Sequence, residues 1–513
     1  MEETARFEAG RDAAAAAAAR EKGILYARVL VSVAIAVLRS LFLVRLLSAF
    51  EIGAYRLATS WVAYFGFLPL GTVETYYIRA PGLLQAGHGE DAKVLRGVAL
   101  TMSIAGASVT GVGIGVLSFA TGLGSVTTSL AFGLNGFLLA MVPYLTTAHW
   151  VFAEFGTQAR REAAGTLVGA ALGLSGLVLA GLNGLVFGSA TGLAFALLLG
   201  RDRFWRTTWR WPAWPDLRGS VCFGAGQFVC LFMQNLVFTI DLQVLALLWR
   251  TNTQFGVYAF GTLLIAAVRM AAIAGGVVEQ TRLLQHHGQP GRGSSEDLLH
   301  AADRERRLDN VIVSLVSLLG LAGVIVAAPV AFPRFTGIVE VMGAFTISIV
   351  AMRLGFFHAV TLSMRGGQVA GVVAAAIAVG ANAAWCYVAV LGQWPVQAVA
   401  MAPAVGGVVW SALTVLVCEW SLAGRTTWRT TPRLLIPLLP LLPVVLLSAA
   451  HPWYLNLAIV ALALSLYLLQ TGRTDPGSVG VATSLLRHLL SEPLKPMVSA
   501  ATTRLRGGPL PRA

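Results

Sequence analysis

Charged residues are scarce in this sequence. Only 12% of its 513 residues are charged, while 56% are hydrophobic, and the mean hydropathy is +0.73. Soluble globular proteins carry about 25% charged residues. The composition therefore excludes an ordinary soluble protein and indicates a polytopic membrane protein.

Several common functional signals are also missing. The four cysteines lie in apolar runs without metal-ligand or redox spacing, so we interpret them as small membrane-helix residues. Residues 1–23 contain acidic side chains and lack the order of a cleavable signal, so we expect a short cytosolic or interfacial segment. Glycine-rich pieces such as GVGIG (111–115) have no Lys-Ser/Thr after them, so no nucleotide loop and no cofactor are expected.

Long apolar runs predict fourteen membrane-spanning helices. Each run is bounded by glycine, proline or charge. The predicted spans are 24–47, 53–78, 95–119, 125–149, 163–182, 184–200, 217–248, 255–278, 309–331, 338–363, 368–391, 396–421, 434–450 and 453–470.

The positions of the basic residues predict the orientation of these spans. Arginine and lysine concentrate in the N-terminal segment, in 201–218 and in 279–308, and the alternate loops hold few of them. Cytoplasmic loops carry the excess of basic residues, so both termini are expected in the cytoplasm. The net charge of +13 is then largely a topology signal, and no nucleic-acid partner is expected.

A repeated motif divides the chain into two similar halves. FEIGAY (50–55) follows the first span, and TQFGVY (253–258) follows the seventh, which aligns Gly53 with Gly256 and Tyr55 with Tyr258. Six spans per half predict two lobes related by a pseudo-two-fold axis along the membrane normal, with an extra C-terminal helix pair. The predicted domains are the N-terminal segment 1–23, the N-lobe 24–200, a cytosolic linker 201–216, the C-lobe 217–421, helices 13–14 at 434–470, and a basic cytosolic tail 471–513.

Arginines inside the spans are the main candidate functional residues. A charge within a membrane helix normally faces a bundle interior or a water-filled cavity. Three lie deep in their spans, where a cavity role is favoured over a structural ion pair. Three lie near span ends, where reaching the head groups is an equal alternative. The deep set is Arg39, Arg269 and Arg353, and the other set is Arg28, Arg45 and Arg56.

The chain resembles a known family in two stretches. RLLSAFEIGAYRLATSWVAYFGFLPLGTVETYYIR (45–79) is similar to the opening of oligosaccharide flippases of the O-antigen (Wzx) type, in the multidrug/oligosaccharidyl-lipid/polysaccharide exporter superfamily. Residues 220–264 resemble the start of that family's second half, including its intramembrane aspartate at Asp241. The layout of the spans agrees over roughly residues 20–470.

This resemblance implies a transporter and not an enzyme. The implied activity moves undecaprenyl-pyrophosphate-linked oligosaccharide from the inner to the outer leaflet of the bacterial cytoplasmic membrane, for surface polysaccharide biosynthesis. The lobes would alternate access to a cationic cavity, and arginine suits a pyrophosphate through its fixed fork of donors. Membrane lipids and the polysaccharide polymerase machinery are the implied partners.

Other polar residues in the spans suggest coupling or gating. Gln227, Gln234 and Asp241 recur at intervals of seven in the seventh span, and Glu74 marks the expected cytoplasmic mouth, in a solvated position. Asp241 and Arg39 occupy near-equivalent places in the two halves. An ion pair between them, closing the outer side, is one hypothesis, and a coupling H+ or Na+ bound at Asp241 is the other.

Two alternative functions and the role of the last helix pair stay open at this stage. A lipid II flippase and a cation or drug antiporter belong to the same superfamily, although an antiporter cavity should concentrate acidic side chains. Helices 13–14, with three prolines in 434–445, either form a groove for the lipid tail or simply fill space. A membrane-bound polymerase is disfavoured, because the predicted external loops are short and lack a carboxylate constellation.

Overall fold

The described part of the chain is helical throughout. A computed structural model describes residues 31–475, apart from 33, 37, 66–67, 123–124, 153, 202–211, 250–252, 288–294, 336, 366 and 424–434. Within these residues there is no β-strand, and eight helices are long and apolar enough to cross a membrane. The predicted all-α membrane fold is confirmed.

The first half of the chain forms the N-lobe. Its helices are α1 over residues 31–46, α2 Ala49–Phe65, α3 Thr72–Gln85, α4 Gly89–Ala120, α5 Val126–Val151 and α6 Phe155–Leu199.

The second half forms the C-lobe and is followed by two further helical segments. The C-lobe helices are α7 Trp214–Val237, α8 Ile240–Leu248, α9 Thr253–His287, α10 Ser295–Ala331, α11 Ile338–Arg353, α12 Phe356–Met364, α13 Gln368–Leu391, α14 Val396–Ala400 and α15 Ala402–Ala423. A 3-10 helix, Ile436–Leu446, and α16, Trp453–Thr474, come after it.

Helix α6 is a hairpin that contains two of the predicted spans. Ala180 and Gly181 leave helical geometry, and Gly181 has a φ of 57°, which glycine adopts without a steric penalty. The two arms then pack through glycines, since a Cβ on Gly184 would overlap the backbone of Gly176. The predicted boundary between the fifth and sixth spans, placed in the sequence AGLNG, therefore corresponds to this turn.

Four spans that were predicted as continuous, 53–78, 217–248, 338–363 and 396–421, are each divided into two helices, so those predictions are wrong in detail. The span 53–78 divides into α2 and α3, where Leu70 and Gly71 both have positive φ. Pro69 precedes the break, and proline disfavours the helical conformation of the residue before it. The span 217–248 divides into α7 and α8 after Val237, whose carbonyl accepts a hydrogen bond from Asn382 Nδ2 at 2.5 Å.

The segment after the C-lobe has an unusual geometry with a simple cause. Pro437, Pro440 and Pro443 follow one another at intervals of three in the 3-10 helix. A proline has no N–H to donate, and the spacing matches the three residues per turn of a 3-10 helix. The predicted thirteenth span, 434–450, is thus a tight helix that packs beside α16.

The lobes contact each other near both ends of the bundle. Near the α1–α2 turn, a Cβ on Gly53 would lie 2.7 Å from the Phe255 ring, so only glycine permits this approach. At the opposite end, Gly71 of α3 lies against Gly224 of α7. Thr75 Oγ1 donates to the carbonyl of Ser220 at 2.6 Å beside that glycine contact. The cavities described below lie between these two contacts or within the lobes beside them.

The Gly71–Gly224 contact yields a stability prediction. Gly224→Ala places a methyl group against the backbone of α3, and forcing atoms into a close-packed contact costs about 1–3 kcal/mol. We expect a lower midpoint of thermal unfolding in detergent. Gly219→Ala is the matched control, because a Cβ at Gly219, on the same helix, meets no atom within 4 Å. Equal effects of the two substitutions would contradict the account of this contact.

Candidate functional site

Arg39 of α1 is held by hydroxyl groups. Its Nη2 donates to Tyr55 Oη at 2.5 Å and to Ser189 Oγ at 3.0 Å. The guanidinium carbon lies 5.4 Å from the centroid of the Tyr55 ring. No carboxylate in the described part of the chain lies within ion-pair distance of Arg39. The side chain is therefore fixed in orientation while its charge stays available.

A cavity of about 400 Å³ surrounds this arginine within the N-lobe. Leu263, Ala266 and Ala267 of α9 close one side of it. Its polar lining consists mainly of hydroxyl groups and two arginines. These residues are Ser32, Arg39, Ser40, Tyr55, Thr59, Asn135, Arg161, Glu162, Thr166 and Ser189.

Arg161 is a cavity cation that the sequence analysis missed. It is 5% exposed, and its Nη2 lies 3.2 Å from Glu162 Oε1 and 3.5 Å from Thr146 Oγ1. The predicted fifth span began at residue 163, which placed Arg161 in a loop. Helix α6 instead begins at Phe155, so Arg161 lies inside the helix and reaches the cavity. The charged run Arg160-Arg161-Glu162 at a span boundary was the available signal.

The two lobes repeat one hydrogen bond with opposite charges. Tyr55 accepts from Arg39 in the N-lobe, and Tyr258 donates to Asp241 Oδ2 in the C-lobe. Tyr55 and Tyr258 are the tyrosines that the repeated motif aligns. The motif therefore reflects a three-dimensional repeat. In each lobe a tyrosine on one helix forms a hydrogen bond with a charged side chain on the helix that precedes it.

The predicted ion pair between Arg39 and Asp241 is absent, although both residues belong to the described structure. Asp241 is fully buried against Tyr258. Among the described residues, Arg56 is a cation whose charge acts on Asp241, and its Nε donates to Thr262 Oγ1 at 2.8 Å across the lobe contact. The prediction is wrong because Arg39 turns into the N-lobe cavity, while Arg56 faces α9.

Arg353 is part of a buried ion pair. Its Nε and Nη2 each donate to one carboxylate oxygen of Asp309 at 2.7 Å, and both side chains are 6% exposed. The guanidinium carbon also lies 3.9 Å from the Phe356 ring centroid. Arg353 thus forms the ion pair that was the alternative to a cavity role, and it also lines a cavity. Asp309 was missed because it stood at the predicted edge of a span.

Arg269 differs from Arg353 in having no carboxylate partner within the described structure. Its guanidinium carbon lies 4.2 Å from the Phe238 ring centroid. Arg353 and Arg56 act on it as like charges. Arg269, Arg353 and Gln234 line a cavity of about 160 Å³.

Glu74 lies in a third cavity, between the lobes. This cavity measures about 350 Å³ and is lined by Phe65 of α2 and by Phe228 and Phe232 of α7. Glu74 Oε2 is buried and has no hydrogen-bond partner within the described structure. The prediction of a solvated position for Glu74 is therefore wrong, because α3 turns this side chain towards the lobe contact.

The three cavities adjoin one another. Leu139 lines both the Arg39 cavity and the Glu74 cavity, and Asn235 lines both the Glu74 cavity and the Arg269 cavity. The three separate cavities thus form a path, a series of polar spaces that extends from one lobe to the other. No group of three potential metal ligands occurs among the described residues.

One further predicted site residue lies away from this path. Arg45 is exposed at the end of α1 and lines none of the three cavities. Arg28 and the side chain of Gln227 lie outside the described residues. Their roles stay predictions.

Comparison with known proteins identifies the fold. Neither a protein-family model nor a curated protein sequence matches the chain. Among solved structures, a MATE transporter of Vibrio cholerae matches with a TM-score of 0.60 and 13% identity, covering 80% of this chain and 98% of that one. An outward-facing multidrug resistance MATE transporter of the MOP superfamily matches with a TM-score of 0.56 and 11% identity, covering 79% and 96%.

A third solved structure is a MOP superfamily transporter from Pyrococcus furiosus. Its description states that the reverse polarity of its binding pocket suggests a different function. The TM-score is 0.56 and the identity 13%, with 79% of this chain and 96% of that chain covered. At these identities the likeness shows the fold alone, which is that of MATE transporters.

Proposed function

We propose that this chain, which has the MATE transporter fold, is a flippase for undecaprenyl-pyrophosphate-linked oligosaccharide in the bacterial cytoplasmic membrane. It moves the lipid from the inner to the outer leaflet for surface polysaccharide biosynthesis, and both of its termini are cytoplasmic. The observation that carries this proposal is the Arg39 cavity, in which a cation without a carboxylate partner faces a polar space of about 400 Å³.

The geometry of Arg39 suits a phosphate ligand. Both of its hydrogen bonds use Nη2, which leaves the Nε and Nη1 donors for a phosphate. These N–H groups point in different directions, so each would give a phosphate a single charge-assisted hydrogen bond. Tyr55 and Ser189 fix the plane of the fork beforehand, so little side-chain entropy is lost on binding. Translocation makes and breaks no covalent bond, and the proposal therefore needs no catalytic residue.

The lobe contacts suit alternating access. The Gly53 and Gly71 contacts lie near opposite ends of the bundle, with the cavities between them or beside them. Opening one contact at a time would expose the path to one side of the membrane. Asp241 and Glu74 are the candidate sites for a coupling H+ or Na+, and the polysaccharide polymerase machinery is the proposed recipient of the product. A lipid II flippase would use the same cationic cavity.

One observation favours a second candidate function, that of a cation or drug antiporter. The unpartnered oxygen of Glu74 faces a cavity lined by aromatic rings, and organic cations bind to carboxylates and aromatic faces. Arg269 in the next cavity repels cations, which makes the flippase the better-supported function.

A comparison of a strain that lacks the chain with its parent strain distinguishes the two functions. On loss of the chain, we expect lipid-linked sugar to accumulate inside the cell and surface polysaccharide to fall. Efflux of a quaternary-amine dye should stay unchanged. Normal polysaccharide together with lost dye efflux would establish the antiporter instead.

Glu74→Gln separates coupling from cation transport. If Glu74 carries the coupling ion, the substitution should lower sugar export about tenfold, because the amide carries no charge and takes up no proton. Glu74→Asp should retain most of the export. Dye efflux should stay at background in the wild-type chain and in both Glu74 variants. Dye efflux that the wild-type chain supports and Glu74→Gln abolishes would contradict the coupling role.

A further inference from the structure

The 160 Å³ cavity of the C-lobe offers hydrogen-bond donors and positive charge. Its described lining contains no aspartate and no glutamate, unlike the Arg39 and Glu74 cavities, which contain Glu162 and Glu74. Its lining residues are Gln234, Asn235, Phe238, Arg269, Ile349, Met352, Arg353, Phe356 and Trp410. This environment stabilises an anion and disfavours a cation.

Trp410 of α15 supplies an independent observation. The side chain is 1% exposed, and its indole Nε1–H has no acceptor within the described structure. Buried donors in folded proteins nearly always have an acceptor, and an exception requires an explanation such as a ligand. An indole N–H only donates, so a ligand that forms the missing hydrogen bond with Trp410 must present an acceptor atom.

The two arginines are arranged to present free donors. Arg353 uses Nε and Nη2 for Asp309, and its Nη1 is not involved in that pair. Arg269 has no ion pair in the described structure. The guanidinium carbons of Arg269 and Arg353 lie 4.2 and 3.9 Å from the ring centroids of Phe238 and Phe356. A cation–π contact of this kind leaves N–H groups available to an oxyanion.

We infer that this cavity is a binding site for a compact oxyanion of the phosphate type, with Arg269 as its charge and Trp410 as its neutral donor. The volume of about 160 Å³ lies below the ~300 Å³ of a typical drug-sized site. It therefore admits a phosphate group and excludes a sugar chain. The existence of the site is inferred from these contacts alone. The identification of its occupant as the substrate's phosphate rests on the proposed function.

The test measures binding of inorganic phosphate to the purified full-length chain in phosphatidylcholine nanodiscs by isothermal titration calorimetry. Besides the site at Arg39 that the proposed function implies, we expect one saturable site at this cavity. Arg269→Gln should weaken it about 10- to 100-fold, since a bond to a charged group is lost. Trp410→Phe, which removes the N–H and keeps an aromatic ring, should weaken it about 5- to 10-fold.

Two control variants keep the test specific. Arg45→Gln and Arg334→Gln should leave phosphate affinity at this cavity within about twofold, because both residues are exposed and neither lines it. Absence of saturable binding, or equal affinity in Arg269→Gln and the wild-type chain, would overturn the inference. Binding that only Arg39→Gln removes would also overturn it, because the phosphate would then lie in the Arg39 cavity. Arg269→Gln decides the question if Trp410→Phe does not fold.

Nanodiscs that contain phosphatidylglycerol distinguish the possible sources of the phosphate. Competition by this lipid would identify the occupant as an anionic headgroup, and its absence would identify a mobile phosphate or the substrate's own. Both results support the site. Because binding is measured without transport, Arg269-dependent binding would stand even if sugar export proved independent of the chain.

Discussion

Replacing Arg39 by glutamine should lower the export of lipid-linked sugar by about 10- to 100-fold. The amide keeps a polar but shorter side chain, and it removes the positive charge from the 400 Å³ cavity. It also removes the fork of donors that Tyr55 and Ser189 hold in place. The readout is surface polysaccharide, together with the lipid-linked intermediate that accumulates in the cells.

Two further variants separate binding from folding. Arg39→Lys keeps the charge without the planar set of N–H donors, so its export should lie between that of the wild-type chain and that of Arg39→Gln. Arg45→Gln removes an arginine from the same helix at an exposed position outside the cavities, and we expect normal export. All variants should be present in the membrane in equal amounts. Full export by Arg39→Gln would exclude Arg39 from the substrate path.

Replacing Asp309 by asparagine should destabilise the protein by about 3–5 kcal/mol, because removing one partner of a buried ion pair leaves the other charge uncompensated. Both Arg353 bonds to Asp309 are 2.7 Å long, and both side chains are 6% exposed. The pair joins α10 to α11 across 44 residues of sequence. Thermal unfolding in detergent, followed by circular dichroism, would measure the loss.

Two comparisons define this effect. Glu90→Gln breaks an exposed pair with Lys93, and surface pairs contribute only about 0–1 kcal/mol. The double substitution Asp309→Leu with Arg353→Leu should recover much of the lost stability, because an apolar pair replaces a buried ionic one. A destabilisation by Asp309→Asn no larger than that by Glu90→Gln would show that the buried pair does not stabilise the bundle.

Local patterns in the sequence were sufficient to predict the fold. Apolar runs and basic loops located the spans, because each segment that crosses a membrane must be apolar and helical by itself, whatever its neighbours are. The turn between the arms of α6 and the correspondence of Tyr55 with Tyr258 were predicted from short motifs. The sequence Leu68-Pro69-Leu70-Gly71 indicates the break between α2 and α3. It was overlooked because a span is located from the mean hydropathy of a long window, and this short turn is itself apolar.

The site was less predictable because its contacts are long-range. The intramembrane depth of Arg39, Arg269 and Arg353 was apparent from the sequence. Their partners were not, since helix packing decides that Arg353 meets Asp309 while Arg269 meets Phe238. Trp410 had no signal at all, because an apolar tryptophan in a span gives no indication that its N–H lacks an acceptor.

The central claim is tested most directly with the purified chain in lipid vesicles. A polyprenyl-pyrophosphate carrying a fluorescent sugar would be placed in both leaflets, and a membrane-impermeant quencher would report how fast the inner-leaflet sugar becomes accessible. The account predicts rapid, protein-dependent exposure that Arg39→Gln slows by about 10- to 100-fold and Arg45→Gln leaves unchanged. Exposure at the rate of protein-free vesicles would contradict it.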